Sequence, residues 1–243
     1  MFTRNFLTAL ALVTVNCQAA TLIEVKTPEG QTKVYRDGAR SRMDTGDGGY
    51  MLVDSQAETM FVVMPEKRQV LDMSAMLKNA PPAANSKPVN VTFKKQGSGP
   101  RIAGYTTTQY GYSADGKACG QVMASEQALK DSGLHETFEI MQRMAARADA
   151  MMMAFSPDID PCQRAGTRFT EHAQGIGAPL RITRGDGQLV SEVVRIEKNA
   201  RLPPNAFAIP AGYEVQNTGQ MMRQVPNLQD MMQQMQERMQ ERQ

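Results

Sequence analysis

Between Leu22 and Ser55 the chain is cut into four short segments of strand character: Leu22 to Thr27, Thr32 to Asp37, Arg40 to Thr45 and Tyr50 to Ser55. Turn-forming runs separate them, among them Pro28-Glu29-Gly30 and Gly46-Asp47-Gly48-Gly49. Short strands joined by Gly-rich turns predict an antiparallel meander. Thr59 to Met64 is apolar on both parities, Phe61 and Val63 against Met60, Val62 and Met64, whereas Gln69 to Leu77 keeps Leu71, Met73, Ala75 and Leu77 on one face. A strand apolar on both faces has to be covered on both. That requirement predicts a helix packed over a curved sheet rather than a bare sandwich.

Beyond the loop Pro81-Pro82-Ala83-Ala84-Asn85-Ser86, the strand pattern resumes over Val89 to Lys94, Arg101 to Tyr112 and Lys117 to Ser125, with Ala114-Asp115-Gly116-Lys117 as a hairpin turn. The period then changes. Leu134, Phe138, Met141, Ala145, Ala148, Met152 and Phe155 step by fours and threes, which predicts one apolar helix face. Gly133 breaks the short helical stretch before it, and Pro157 and Pro161 end it. Leu180 to Arg184 and Leu189 to Ile196 flank the turn Gly185-Asp186-Gly187-Gln188. Phe207-Ala208-Ile209-Pro210 and Tyr213-Glu214-Val215 are expected to close the sheet.

The first 19 residues carry Arg4, an apolar run from Phe6 to Val15, and the small-residue end Cys17-Gln18-Ala19, which together predict a secretory signal peptide over 1–19. Asn16 and Thr14 stand where a lipoprotein signal wants a small residue and Leu, so no lipid anchor is expected. Cleavage leaves 243 − 19 = 224 residues and 3 − 1 = 2 cysteines. No later run is long enough to span a bilayer as a helix. In an exported chain the two cysteines predict one disulfide, Cys119 to Cys162, worth at most about 4 kcal/mol by loop entropy. Lys+Arg of 27 against Asp+Glu of 25 points to no nucleic-acid partner.

Several short motifs line up with one family. They are Ile102-Ala103-Gly104-Tyr105 with Tyr110, Asp115-Gly116-Lys117-Ala118-Cys119-Gly120, and Leu202-Pro203-Pro204-Asn205-Ala206-Phe207 followed by Ile209-Pro210-Ala211-Gly212-Tyr213. Over roughly residues 21 to 216 this resembles an uncharacterised bacterial periplasmic family assigned to the Lol-type lipoprotein-carrier superfamily. The resemblance implies an unclosed antiparallel β half-barrel with helices over its concave side, and an apolar ligand class, but carries over no binding residue. The expected fold is therefore mainly β with a helical insertion (α+β): a half-barrel roofed by a helix, with one disulfide and a C-terminal amphipathic helix. The expected organisation is a signal peptide over 1–19, a carrier-like domain over 20–216, and a linker with a Met/Gln-rich helix over 217–243.

Catalytic motifs have simpler explanations. Asp44-Thr45-Gly46 matches the aspartic-protease tripeptide but follows Arg42 and runs into a turn. His135-Glu136 with Glu139 misses His-Glu-x-x-His by one residue, and the chain has only 2 histidines, the other being His172. Arg184-Gly185-Asp186 reads as a hairpin turn. No enzyme, cofactor or metal site is assigned.

The expected function is a periplasmic, non-enzymatic binder whose concavity holds a lipid, an acyl chain or a lipidated partner, with Leu134, Phe138, Met141, Met152 and Phe155 as its ligand-binding roof. Two alternatives use other features. The 19 methionines, especially Met141, Met144, Met151, Met152, Met153, Met221 and Met222 with those of the tail, could gather Cu(I). Alternatively, the sheet is a scaffold with no ligand. From Asn227 onward an amphipathic helix is expected, Leu228, Met231, Met232, Met235 and Met239 forming a stripe for a protein partner or for self-association.

Overall fold

The computed structural model describes residues 20–75, 89–133, 135, 139, 160–166 and 175–218. Twelve strands hydrogen-bond there into one sheet: β1 (Thr21–Thr27), β2 (Gly30–Asp37), β3 (Arg40–Asp44), β4 (Tyr50–Asp54), β5 (Thr59–Met64), β6 (Gln69–Asp72), β7 (Val91–Ser98), β8 (Thr108–Ala114), β9 (Lys117–Ser125), β10 (Ala178–Arg184), β11 (Leu189–Lys198) and β12 (Glu214–Asn217). The order is β12-β6-β5-β4-β3-β2-β1-β11-β10-β9-β8-β7, so the sheet has two free ends and does not close. Two meanders, β1 to β6 and β7 to β11, are joined by antiparallel pairing of β1 with β11. Helices α1 (Glu126–Ser132) and α2 (Pro161–Gly166) occupy the long connection between β9 and β10.

The register assigns side chains to faces. Ile196, Ile23, Val34, Met43, Met51, Val62 and Leu71 are successive partners across β11, β1, β2, β3, β4, β5 and β6. Alternation puts Val53 and Met60 on the same side. Both helices lie on that side: Ala128 and Leu129 of α1 pack with Ile23, Leu180 and Val193, and Ala165 and Cys162 of α2 pack with Val122, Tyr112 and Val91. Ser125 caps α1, its hydroxyl accepting from the Ala128 N–H at 3.3 Å, and Gly133 ends the helix in the left-handed conformation.

The opposite face is charged along β10, β11, β1 and β2, where Arg181 makes two bonds to Glu192 at 2.7 and 3.0 Å and Lys33 lies 3.9 Å from Glu24. Along β4 to β6 the same face is apolar, with Tyr50, Leu52, Val63 and Val70 buried, beside Arg40, Arg42 and Asp44 of β3. A strap formed by residues 199–213 runs over it. The Ala200 N–H donates to the Ala20 carbonyl, Phe207 lies under the Arg40 guanidinium at 5.0 Å, and Tyr213 joins the Tyr50 cluster beside Arg68. On this face β5 is covered by a strap, not by the expected helix; on the other face its Met60 is buried and its Val62 half-buried, while α1 and α2 pack over β1 and β8 to β11.

Three expected strands and one expected pairing are corrected. The strand expected over Gln69 to Leu77 stops at Asp72, whose carboxylate accepts from the Ser74 N–H at 2.9 Å and turns the chain. The strand expected over Arg101 to Tyr112 is two pieces, because Ile102 and Tyr105 close a tight turn on each other through Ala103 and Gly104, both at positive φ. Phe207 to Pro210 forms turns, not a strand, bonded Ala206 to Pro203 and Ala208 to Asn205. β12 pairs in parallel with β6, so the sheet is not antiparallel throughout. The signal peptide, the helix face from Leu134 to Phe155 and the tail helix from Asn227 lie outside the described residues.

Gly120 sits where β8 and β9 shift register, and a side chain there would run into the Thr183 carbonyl of the neighbouring strand. Gly120→Ala should cost about 3 kcal/mol and lower Tm by roughly 6–12 °C, whereas Gly46→Ala, in open space, should change Tm by less than about 2 °C. Differential scanning fluorimetry of the two variants checks this. Arg181 holds the Glu192 carboxyl below the usual glutamate range, so the native state keeps it charged more readily than the unfolded chain. The stability this adds is complete above the ordinary glutamate pKa and fades as pH falls through the depressed one. Glu192→Gln should therefore lower Tm at pH 7, and the gap to wild type should narrow toward pH 3.

Candidate functional site

The helix-bearing face divides into two parts. Over β7 to β11 it is filled by the protein's own side chains: Val122, Ala114, Ala128 and Ala165 have no exposure, and Leu180 has 1%. Here the space beneath α1 and α2 is packed. Over β2 to β6 the row Val34, Met43, Met51, Val62 and Leu71 is only half-buried, with Val53 and Met60 beneath it at 2% exposure. This second part is the candidate site, an apolar surface five strands wide that carries four methionines, Met43, Met51, Met60 and Met73, in one cluster.

α1 ends beside this face. Asp131 of α1 accepts hydrogen bonds from Tyr105 Oη at 3.1 Å, Gln127 at 2.9 Å and Lys198 at 3.3 Å, tying the helix to the 102–105 turn and to the end of β11. Gly133 then lets the chain turn against the Arg36 guanidinium, leaving no room for a side chain. At the far end of the connection, the Cys119–Cys162 disulfide joins β9 to α2, with an S–S distance of 2.01 Å. Lys117 pairs with Asp160, and Asp160 also receives the Cys162 N–H at 2.7 Å. This ion pair keeps the Asp160 carboxyl below its usual range, chiefly through the hydrogen bond from Lys117.

A separate groove of about 410 Å3 opens on the other face near β7 to β10, along the cross-strand row Lys94, Gly111, Gln121 and Thr183, with Gln96 and Ser113 beside it. Gly111 carries no side chain at its floor, and the Gln96 side chain folds over that position. It lies on the face opposite the apolar row.

Of the residues singled out from sequence, Cys119 and Cys162 are brought together as expected. Leu134, Phe138, Met141, Met152 and Phe155, and the tail residues Leu228, Met231, Met232, Met235 and Met239, lie outside the described residues. Asp44 is held by Arg42 at 2.7 Å beside a turn in which Thr45 bonds Asp47, so the protease-like tripeptide is a hairpin. His135 lies 3.6 Å from Glu139 in an exposed pair one helical turn apart. Among the described residues, no three His, Cys, Asp or Glu side chains gather as a metal site. Arg184 to Gln188 is a hairpin, Arg184 and Gln188 bonding across it at 2.9 Å. Sequence reasoning read Met43, Met51, Met60 and Met73 as separate strand residues; only their register makes them one group.

The family model described as a domain of unknown function (DUF4412) matches residues 29–213, from the first hairpin to the end of the strap, and the chain belongs to that family. No curated protein matches it. What the chain binds must therefore be argued from its own faces.

Replacing both cysteines by Ala removes the tie at the end of the connection. The variant should lose about 2–4 kcal/mol in urea unfolding, and limited proteolysis should cut first between Ser132 and Pro161. Equal unfolding midpoints for the variant and the oxidised wild type would show the tie to be energetically idle.

Proposed function

We propose that this member of the DUF4412 family is a non-enzymatic periplasmic binding protein that holds an apolar ligand, an acyl chain or the lipid group of a modified partner, on the helix-bearing face of an unclosed half-barrel. The observation that carries the reading is the cross-strand row from Val34 to Leu71: five apolar side chains, half-buried, on a sheet face whose other half is packed by its own helices. Polar groups are few along it. The opposite face holds the ion pairs of Lys33 with Glu24 and Arg181 with Glu192, whereas the row from Val34 to Leu71 carries no charge, and this sidedness suits a row turned from water.

Elementary energetics make an acyl chain a sufficient ligand. Each methylene withdrawn from water contributes about 0.8 kcal/mol, so ten of them give roughly 8 kcal/mol before the costs of ordering are subtracted. No anchored charge is needed. Met43, Met51 and their neighbours suit a flexible ligand because unbranched thioethers re-pack at low cost. The Lol-type motifs agree in kind, since such carriers use shape and apolarity rather than a fixed motif. A periplasmic setting is supported by the leader-like residues 1–19 and by a disulfide that an oxidising compartment would maintain.

Binding of a fluorescent fatty acid tests the reading. Wild type should bind it, and Met51→Asp, which places a carboxylate in the middle of the row, should weaken binding at least tenfold. Val194→Asp, on an exposed part of β11, should leave it unchanged. Native mass spectrometry after mild purification should show a fraction of the protein carrying added lipid mass. A protein that always emerges ligand-free and binds no fatty acid overturns the proposal.

A further inference from the structure

The four methionines of the candidate face stand in two adjacent cross-strand rows. Met43 and Met51 are direct cross-strand partners on β3 and β4. Met60 is the partner of Val53 one row away, and the Met73 N–H donates to the Met60 carbonyl at 2.8 Å, which continues that row past β6. Alternation along β4 and β5 places both rows on one face, where Met43, Met51 and Met73 pack against the buried pair Val53 and Met60. Directly opposed side chains on such a pair have Cβ atoms about 5 Å apart, and each thioether sulfur swings on flexible bonds from there. Met60 is 2% exposed, and the other three are half-buried.

From this placement we propose that Met43, Met51, Met60 and Met73 form a thioether site for a soft monovalent metal ion of the Cu(I) class. Three features of the site select that ion. The donors are sulfur alone: among the described residues the same-face register neighbours are Val34, Val53, Val62, Leu71 and Ser41, with Arg36 beyond Ser41, and none of these is a carboxylate or imidazole that would favour a hard or borderline dication. Neutral donors balance a single positive charge better than two in a mostly apolar surrounding. The thiols of the described residues are sealed in the Cys119–Cys162 disulfide, which leaves soft coordination there to thioethers, donors that keep their lone pairs without deprotonation. The site is distinct from the methionines beyond Gly133 and in the tail, and it does not depend on the face holding an acyl chain.

Silver(I), which shares the softness and charge of Cu(I) without its redox chemistry, is the probe. The full-length oxidised protein, labelled with 13C at the methionine methyls, is titrated with Ag(I) and followed by NMR. The methyl signals of Met43, Met51, Met60 and Met73 should shift together and saturate near one equivalent. The volume-conserving double variant Met43→Leu/Met51→Leu should bind at least tenfold more weakly while keeping the wild-type Tm. Should that variant unfold, the assigned methyl shifts of wild type decide alone. Shifts confined to other methionines, or unchanged affinity in the folded double variant, overturn the site. Fatty-acid binding is measured separately, so either reading can fail without the other.

Discussion

The pairing of β1 with β11 is the contact on which the rest of the sheet depends. It joins strands from opposite ends of the domain, so without it the two meanders would be separate sheets, each with an additional open edge. Ile23 stands at the joint, 3% exposed, paired with Val34 on one side and Ile196 on the other. A register shift between Glu24 and Val25 adds local twist at this seam. Because the joint brings together residues far apart in sequence, it carries a larger loop-closure cost than the local hairpins of either meander. In register, the seam extends the apolar row of the candidate face from Val34 through Ile23 to Ile196.

Once the seam is made, the two faces of the sheet are covered by different devices. Helices α1 and α2 come from one connection and cover one face; the strap of residues 199–213 comes from the end of β11 and covers part of the other. Three arginines hold the strap side by cation–π contact, Arg40 on Phe207, Arg42 on Tyr50 at 3.7 Å and Arg68 on Tyr213. Arg42 also pairs with Asp44, so its charge serves the ring and the carboxylate at once. The strap delivers β12 to the edge of β6 in the parallel sense, and only a chain that has crossed the face first can arrive that way.

Much of this was legible in the sequence. Strands such as Thr59–Met64 and Lys117–Ser125 show their period and are bounded by turn residues, so their existence and ends follow from local chemistry. Gly133 marked a helix end because a residue without a side chain fits the left-handed cap. The strap was not legible. Phe207-Ala208-Ile209-Pro210 has the apolarity of a strand, and only the turns bonded from Pro203 and Asn205 reveal that it bends repeatedly instead of extending. The methionine group was hidden for a different reason: Met43, Met51, Met60 and Met73 lie on or beside four strands, and no spacing along the chain shows that register makes them neighbours.

The connection that bears the helices begins and ends at one place. Ser125 and Ala178 are direct partners, and Gly177 lies so close to Ser125 that a side chain there would collide with its backbone. A loop whose two ends meet can still swing about its base, but this base is fixed at three points: Asp131 on Tyr105 and Lys198, Lys117 on Asp160, and Cys119 on Cys162. Sheet strands in mutual register cannot slide to reshape the face either, since a slip of one residue would turn the apolar row outward. With base and sheet both fixed, the adaptable parts of the candidate face are its side chains. Unbranched methionines, with three rotatable bonds each, are the residues that give a rigid surface such freedom.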